Sequence, residues 1–128
     1  MSSIKSKKLV LIFFTALVIN MLWEFAQAPL YACFSDFRMC MWLCFRASFG
    51  DAFIVLGIYL LLRKNLSLFK VAILGILIAV LIELHALEVG RWAYTETMPI
   101  IPFLKVGLTP VLQMALLPNL IFYLVRKA

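Results

Sequence analysis

Three acidic side chains that lie within long apolar stretches are the first candidates for chemistry in this chain. A carboxyl group among apolar residues is costly to ionise, so it can hold a proton at neutral pH and donate it to a substrate. A second, ionised carboxylate nearby can act as the base or stabilise a positive charge. The three predicted catalytic residues are Glu24, Asp51 and Glu83.

Four more polar residues are predicted to bind at the same site. Gln27 follows Glu24 by three positions and shares its helical face. Gln113 lies in the first turn of a helix that we expect to begin with Thr109 as N-cap and Pro110 as first helical residue. Arg91 is expected to be the permanent cation of the site. Three carboxyls cannot all ionise cheaply beside a single arginine, so at least one of them should keep its proton. The predicted binding residues are Gln27, Arg91, Tyr94 and Gln113.

The elements that must position these residues are membrane-spanning helices. The 128 residues are 66% hydrophobic and only 14% charged, which excludes an ordinary soluble domain. A spanning helix needs about 20 mostly apolar residues. Four stretches meet this length, at about residues 9–30, 42–62, 68–87 and 109–125. The predicted fold is all-α, an integral membrane four-helix bundle that forms a single domain over residues 1–128.

The positions of the lysines and arginines predict the orientation of the bundle. Placing both termini in the cytoplasm puts eight cations inside and four outside, in line with the positive-inside rule. The inner eight are Lys5, Lys7, Lys8, Arg63, Lys64, Lys70, Arg126 and Lys127, and the outer four are Arg38, Arg46, Arg91 and Lys105. All six acids then lie in the outer half or outer loops. We expect an N-in, C-in, multi-pass protein of the cell (inner) membrane, and the net charge of +6 does not indicate nucleic-acid binding.

Helical spacing predicts that two of the carboxyls point into the bundle. In the first helix, polar and small residues recur on one face, at Ala16, Asn20, Glu24 and Gln27. In the third helix, Glu83 continues a face of small residues along which helices can approach closely, namely Ala72, Gly75 and Ala79. Asp51 lies at a similar depth in the second helix. The three carboxyls are therefore expected to form one coupled site.

The N-terminal segment can also be interpreted as a cleavable signal. Residues 26–28 form an A-x-A pattern, and residues 30–33 loosely resemble a lipoprotein signal ending at Cys33. Pro29 would follow the first cleavage point, and Tyr31 does not fit the second pattern. We therefore expect the segment to remain attached as the first helix.

The three cysteines are interpreted as small apolar side chains, because free cysteine usually behaves in this way. They are Cys33, Cys40 and Cys44. Oxidation outside the cytoplasm, or binding of a soft metal by Cys40 and Cys44 on one helical face, is the alternative. We predict no metal site, and the sequence leaves the cofactor and the redox state of the cysteines open.

Several segments of the chain together resemble a known group of proteins. These are GRWAYTETMP at residues 90–99, GLTPVLQ at 107–113, WEFAQAPLY at 23–31 and FGD at 49–51. The chain resembles a family of uncharacterised small bacterial multi-pass membrane proteins with a GRWxY, MP and GL[ST]PxLQ signature. The resemblance implies four helices and supports the same polar residues, but it implies no activity.

Three classes of function remain open at this point. The first is acid–base chemistry on a lipid or prenyl substrate by outward-facing intramembrane carboxyls. The second is a small transporter or channel subunit for protons or metal ions, which would need to oligomerise. The third is a structural subunit that uses its polar face to bind a membrane partner. The predicted partners are thus the lipid bilayer, a lipid-like substrate, and a second copy or another membrane protein. We favour the first class because the acids cluster at one depth.

Overall fold

A computed structural model describes residues 2–32 and 37–127 and consists of four long helices with short strands at one end. The helices are α1 (Ser2–Gln27), α2 (Phe37–Leu62), α3 (Leu68–Glu88) and α4 (Leu108–Lys127). This confirms the all-α four-helix fold. The observed bounds differ from the approximate predicted ones mainly at α2, which begins at Phe37 rather than near residue 42, and after Gln27, where the first span continues as a 3-10 turn, Ala28–Leu30.

All four helices are long and apolar enough to cross a membrane. The qualifying segments are Lys5–Leu30, Arg38–Asn65, Leu68–Glu88 and Leu108–Lys127. Large apolar side chains on their outer surfaces are exposed, for example Leu61 and Phe69, each 74% exposed. Such surfaces suit hydrocarbon rather than water. The chain is a multi-pass membrane protein by the length and composition of these helices.

The helices alternate in direction, so the start of α1 and the end of α4 lie at one end of the bundle, the terminal end, and the strands lie at the other, the cap end. Helix α1 packs against α2 and α4, and α3 packs against α4. Among neighbouring helices, α2 and α3 contact each other least. The main core lies toward the terminal end and is apolar; it contains Ile12, Ala16, Ala52, Val55, Ile58, Val71, Leu117, Ile121, Phe122 and Val125.

A glycine allows α3 and α4 to approach closely. A Cβ atom on Gly75 would lie 2.0 Å from the carbonyl oxygen of Met114. That carbonyl has no helical N–H partner because Pro118, four residues later, has no N–H to donate. The Gly75 backbone therefore lies against it, in the close contact that small residues permit in membrane bundles. Gly75, Ala79 and Glu83 are buried on this face, as the sequence predicts.

Short strands close the cap end. Strand β1 (Tyr31–Ala32) pairs antiparallel with β2 (Ala93–Tyr94), and β3 (Ile100–Ile101) pairs with β4 (Val106–Gly107). The first pairing sets Tyr31 opposite Tyr94. The second pairing leads directly into α4, whose first N–H, on Leu108, donates to the Pro99 carbonyl at 2.7 Å. The strands thus tie the end of α1 to the loop between α3 and α4.

Candidate functional site

The predicted site residues lie at the cap end and differ in burial. Glu24, Gln27, Glu83 and Gln113 are buried, Asp51 and Tyr94 are half-buried, and Arg91 is exposed. The whole predicted stripe on α1 is buried, since Ala16 and Asn20 are fully inaccessible as well. Six of the seven residues therefore contribute to the bundle interior or to the underside of the cap.

Gln113 connects three helices through its side-chain amide. Its Nε2 atom lies 2.8 Å from Asn20 Oδ1, 3.2 Å from Glu24 Oε1 and 2.8 Å from Asp51 Oδ2. Asn20 and Glu24 belong to α1, Asp51 to α2, and Gln113 to the first two turns of α4. The amide of α4 is therefore a donor to oxygen atoms from both α1 and α2.

Gln27 completes this arrangement from the end of α1. Its Nε2 donates to Glu24 Oε2 at 3.2 Å and to Gln113 Oε1 at 3.3 Å. Its Oε1 accepts from the indole N–H of Trp23 at 3.1 Å, which fixes which way the amide faces. We call these five residues the carboxyl–amide cluster: Asn20, Glu24, Gln27, Asp51 and Gln113.

The Gln113 amide faces more acceptors than its protons can satisfy. It carries two protons but faces three oxygens, and two of these belong to the carboxyls of Glu24 and Asp51. The two carboxyls therefore lie on one amide nitrogen, in a low-dielectric interior where two like charges would repel each other.

Glu83 lies in a different environment, under the paired strands β1 and β2. Its Oε1 accepts hydrogen bonds from the hydroxyls of Tyr31, at 3.0 Å, and Tyr94. The Tyr94 hydroxyl in turn accepts from the Gly107 N–H at 2.9 Å. We call Tyr31, Glu83 and Tyr94 the carboxyl–phenol cluster. Two phenol donors on one oxygen can stabilise a carboxylate without an added proton.

The two phenols are held in their protonated form. Burial raises the pKa of Tyr31 far above its ordinary value, and the charge of Glu83 raises it further. Burial also raises the pKa of Tyr94, together with its hydrogen bond to Glu83, while the Gly107 N–H opposes the shift. Both hydroxyls therefore remain donors to Glu83 across the physiological pH range.

Trp92 adds an unsatisfied donor beside this cluster. Its buried indole N–H has no hydrogen-bond partner among the described residues. Its ring makes an edge contact with Tyr31, with centroids 6.1 Å apart. A buried donor without a partner is rare and costly. It is available to a ligand oxygen or to a small movement of Glu83.

Arg91 does not join the three carboxyls, in contrast to its predicted role as the cation of the site. Helix α3 ends with the Arg91 N–H donating to the Ala86 carbonyl, and Gly90 has a positive φ of 75°. This turn directs the arginine outward, where its guanidinium carbon lies 5.6 Å from the centroid of the Trp92 ring. No ion pair to Glu24, Asp51 or Glu83 occurs among the described contacts.

Thr109 also differs from its predicted role. Helix α4 begins at Leu108, so Pro110 is its third residue and Thr109 is not the N-cap. The Thr109 hydroxyl instead donates to the sulfur of Met98 at 3.4 Å. The hairpin of β3 and β4 supplies the partner for the first helical N–H, and no side-chain cap is needed there.

The cysteines divide into two states. Cys44 is a free, buried thiol that donates to the Glu24 carbonyl at 3.6 Å, as the interpretation of a small apolar side chain predicts. For Cys40 that interpretation is wrong, because Cys40 is disulfide-bonded. Cys33 and Asp36 lie outside the described residues. Within the described ranges, no three His, Cys, Asp or Glu side chains converge in a way that could hold a metal ion.

Two members of the site are not among the residues that the sequence predicts for it. Asn20 lies on the predicted face of α1, four residues before Glu24, but was not expected in the site itself. Tyr31 carries no helical spacing signal, because its contact with Glu83 depends on the pairing of β1 with β2.

Models of protein families, curated proteins and solved structures were each compared with the chain, and none matches.

Proposed function

We propose that the protein is a membrane-embedded acid–base catalyst that acts on a lipid or prenyl substrate from the outer leaflet. The observation that carries this proposal is that the Glu24 and Asp51 carboxyls lie on the same Gln113 amide nitrogen, at 3.2 and 2.8 Å, within an apolar bundle. A charged residue within a membrane span costs free energy, up to about 2.5–3.5 kcal/mol at the bilayer centre on insertion scales. Three carboxyls are therefore an expensive means of joining helices, and a function that needs their protons explains them better.

The two clusters have complementary roles in this proposal. The Glu24–Asp51 pair donates its shared proton to an alkene carbon, and the new C–H bond leaves a positive charge on the adjacent carbon of the substrate. The Glu83 carboxylate, which is held by two phenols, stabilises that charge. Loss of a proton from a neighbouring carbon back to the pair then restores the starting state. The net reaction moves a double bond and requires no oxidant or reductant.

The substrate reaches the pair through the seam between α2 and α3. These helices contact each other least among neighbouring pairs. Asp51 is the member of the pair that is only partly buried, whereas Glu24 is buried. A lipid can approach this seam sideways from the bilayer without passing through water.

The proton-channel alternative is less well supported, because a conduction path needs polar groups at successive depths. The buried core toward the terminal end is apolar, and its members include Ala16, Ala52 and Val125. The carboxyls therefore connect with the cap end alone. The alternative of metal transport lacks a set of converging ligands among the described residues.

Hydrogen exchange into lipid tests the proposal even while the substrate is unidentified. Purified protein is incubated in D2O with a membrane-lipid extract of its host, and lipids that gain mass are identified by mass spectrometry. We expect one lipid class to gain deuterium with the wild type and with Glu96→Gln, a control in the exposed loop. Exchange should be lost with Asp51→Asn. Equal exchange in all samples, or none in any, contradicts the proposal.

We also propose that both termini face the cytoplasm of a cell (inner) membrane. The cation asymmetry supports this orientation, and so does the disulfide at Cys40 near the cap end, since disulfides persist in oxidising compartments. An impermeant thiol reagent should label Glu96→Cys in intact cells and spare Ser67→Cys, with the wild type as background. The reverse pattern overturns the orientation.

A further inference from the structure

The terminal end carries a cleft that the proposed catalytic site does not use. It has a volume of about 290 Å³ and lies between the start of α1 and the end of α2. Its lining residues are Lys5, Lys8, Leu9, Tyr59, Arg63 and Lys64. Four of these six are cations, and no carboxylate is among the described residues that line it.

The structure assigns this cleft as a binding site for the phosphate headgroup of an anionic phospholipid. Four like charges around one cleft repel each other unless a counter-charge is present. The positive end of the α1 dipole lies at the same level and also favours an anion. Lys8 contacts the face of Tyr59, with its Nζ atom 5.6 Å from the ring centroid, and Tyr59 packs against Phe122 of α4. At least one cation is therefore positioned by the bundle.

The surroundings of the cleft favour a lipid over a soluble phosphate. Leu9 forms part of its lining, and Phe13, one helical turn further, lies 4.9 Å from Phe53 of α2 between ring centroids. A Cβ atom on Gly57, one turn from Phe53, would meet nothing within 4 Å. Phe53 is 62% exposed, so the surface beside the seam between α1 and α2 continues from the cations into exposed apolar side chains. Acyl chains can lie there while the phosphate occupies the cleft, as basic pockets between membrane helices allow.

Native mass spectrometry of the full chain in detergent tests the assignment. Phosphatidylglycerol and phosphatidylcholine with the same acyl chains are titrated against the wild type and two double variants of equal charge. Lys8→Gln/Arg63→Gln removes cations from the cleft, and Lys70→Gln/Arg126→Gln removes two from the same end outside it. We expect the cleft variant to lose about 10- to 30-fold in affinity for phosphatidylglycerol, since each cation near the surface raises the affinity by a factor of roughly ten or less. The matched variant should change by less than about threefold.

Three results overturn the assignment. Equal losses in both double variants mean that the anion is attracted by the whole terminal end and not by the cleft. No preference for phosphatidylglycerol over phosphatidylcholine means that headgroup charge is not recognised. Displacement of the bound lipid by inorganic phosphate at equal concentration means that the ligand is a soluble anion. Melting temperatures of the variants in the same detergent show whether each one is folded before its affinity is compared.

Discussion

Glu83 and the Glu24–Asp51 pair lie at the same end of the bundle but have different hydrogen-bond partners. Two phenols donate to Glu83, whereas the pair shares amide protons that are fewer than the oxygens around them. The phenols can stabilise a negative charge on Glu83, whereas Glu24 and Asp51 compete for one amide donor. In the proposed function, Glu83 therefore acts as the carboxylate and the pair acts as the proton donor.

The strongest test of this difference removes a proton from the pair without changing its shape. Asp51→Asn keeps the size of the side chain but cannot donate its proton to a substrate. We expect deuterium incorporation into lipid to fall by at least about 100-fold, the lower range of general acid catalysis. Glu83→Gln should also abolish the reaction, because a neutral amide cannot stabilise a positive charge. Retained exchange in Asp51→Asn would show that the pair is structural.

A substitution at the contact between α3 and α4 should move apart the two helices that carry Glu83 and Gln113. Gly75→Ala places a Cβ atom 2.0 Å from the Met114 carbonyl oxygen, so one helix must move. Overpacking typically costs about 1–3 kcal/mol, and a clash with the backbone should reach the upper part of that range. Gly57→Ala is the matched control, since nothing lies within 4 Å of its Cβ position. Thermal unfolding in detergent measures both; equal stability of the two variants contradicts the close contact.

Loss of a phenol weakens the carboxyl–phenol cluster alone. Tyr94→Phe removes a donor to Glu83 and an acceptor for the Gly107 N–H, so it should destabilise the protein by about 1–3 kcal/mol. Tyr31→Phe removes one bond and should cost about 1 kcal/mol. Tyr123→Phe, at a 49% exposed site, serves as the control and should be neutral. A neutral result for Tyr94→Phe would show that the cap does not depend on Glu83.

The same phenols predict a small dependence of stability on alkaline pH. Their raised pKa values mean that the unfolded chain releases these protons at lower pH than the folded chain does. The contribution is thus fully present below about pH 10 and is lost as the pH rises above it. The double variant Tyr31→Phe/Tyr94→Phe should show a shallower alkaline decrease in melting temperature than the wild type. An identical pH profile contradicts the assigned direction.

The sequence predicted those parts of the site that follow helical periodicity. The stripe on α1 and the small face of α3 could be identified because residues three and four apart share a face. The depth of Asp51 followed from counting along α2. Gln113 was identified although α4 begins two residues earlier than predicted, since the helical face of a residue does not depend on where the helix begins.

The sequence could not predict contacts that depend on the loops. Tyr31 reaches Glu83 because β1 pairs with β2, and strands of two residues leave no periodic signal. Arg91 was expected among the carboxyls, but the turn at Gly90 directs it outward to Trp92. The separation of the three carboxyls into two clusters followed from these same loop contacts.

Infrared titration of the carboxyl C=O stretch tests most directly whether Glu24 and Asp51 share a proton. We predict a protonated carboxyl band at about pH 7, near the physiological range in which a catalytic acid must operate. The band should shift or vanish in both Glu24→Gln and Asp51→Asn and remain in Glu83→Gln. The absence of the band from the wild type, or its loss only in Glu83→Gln, would contradict the account.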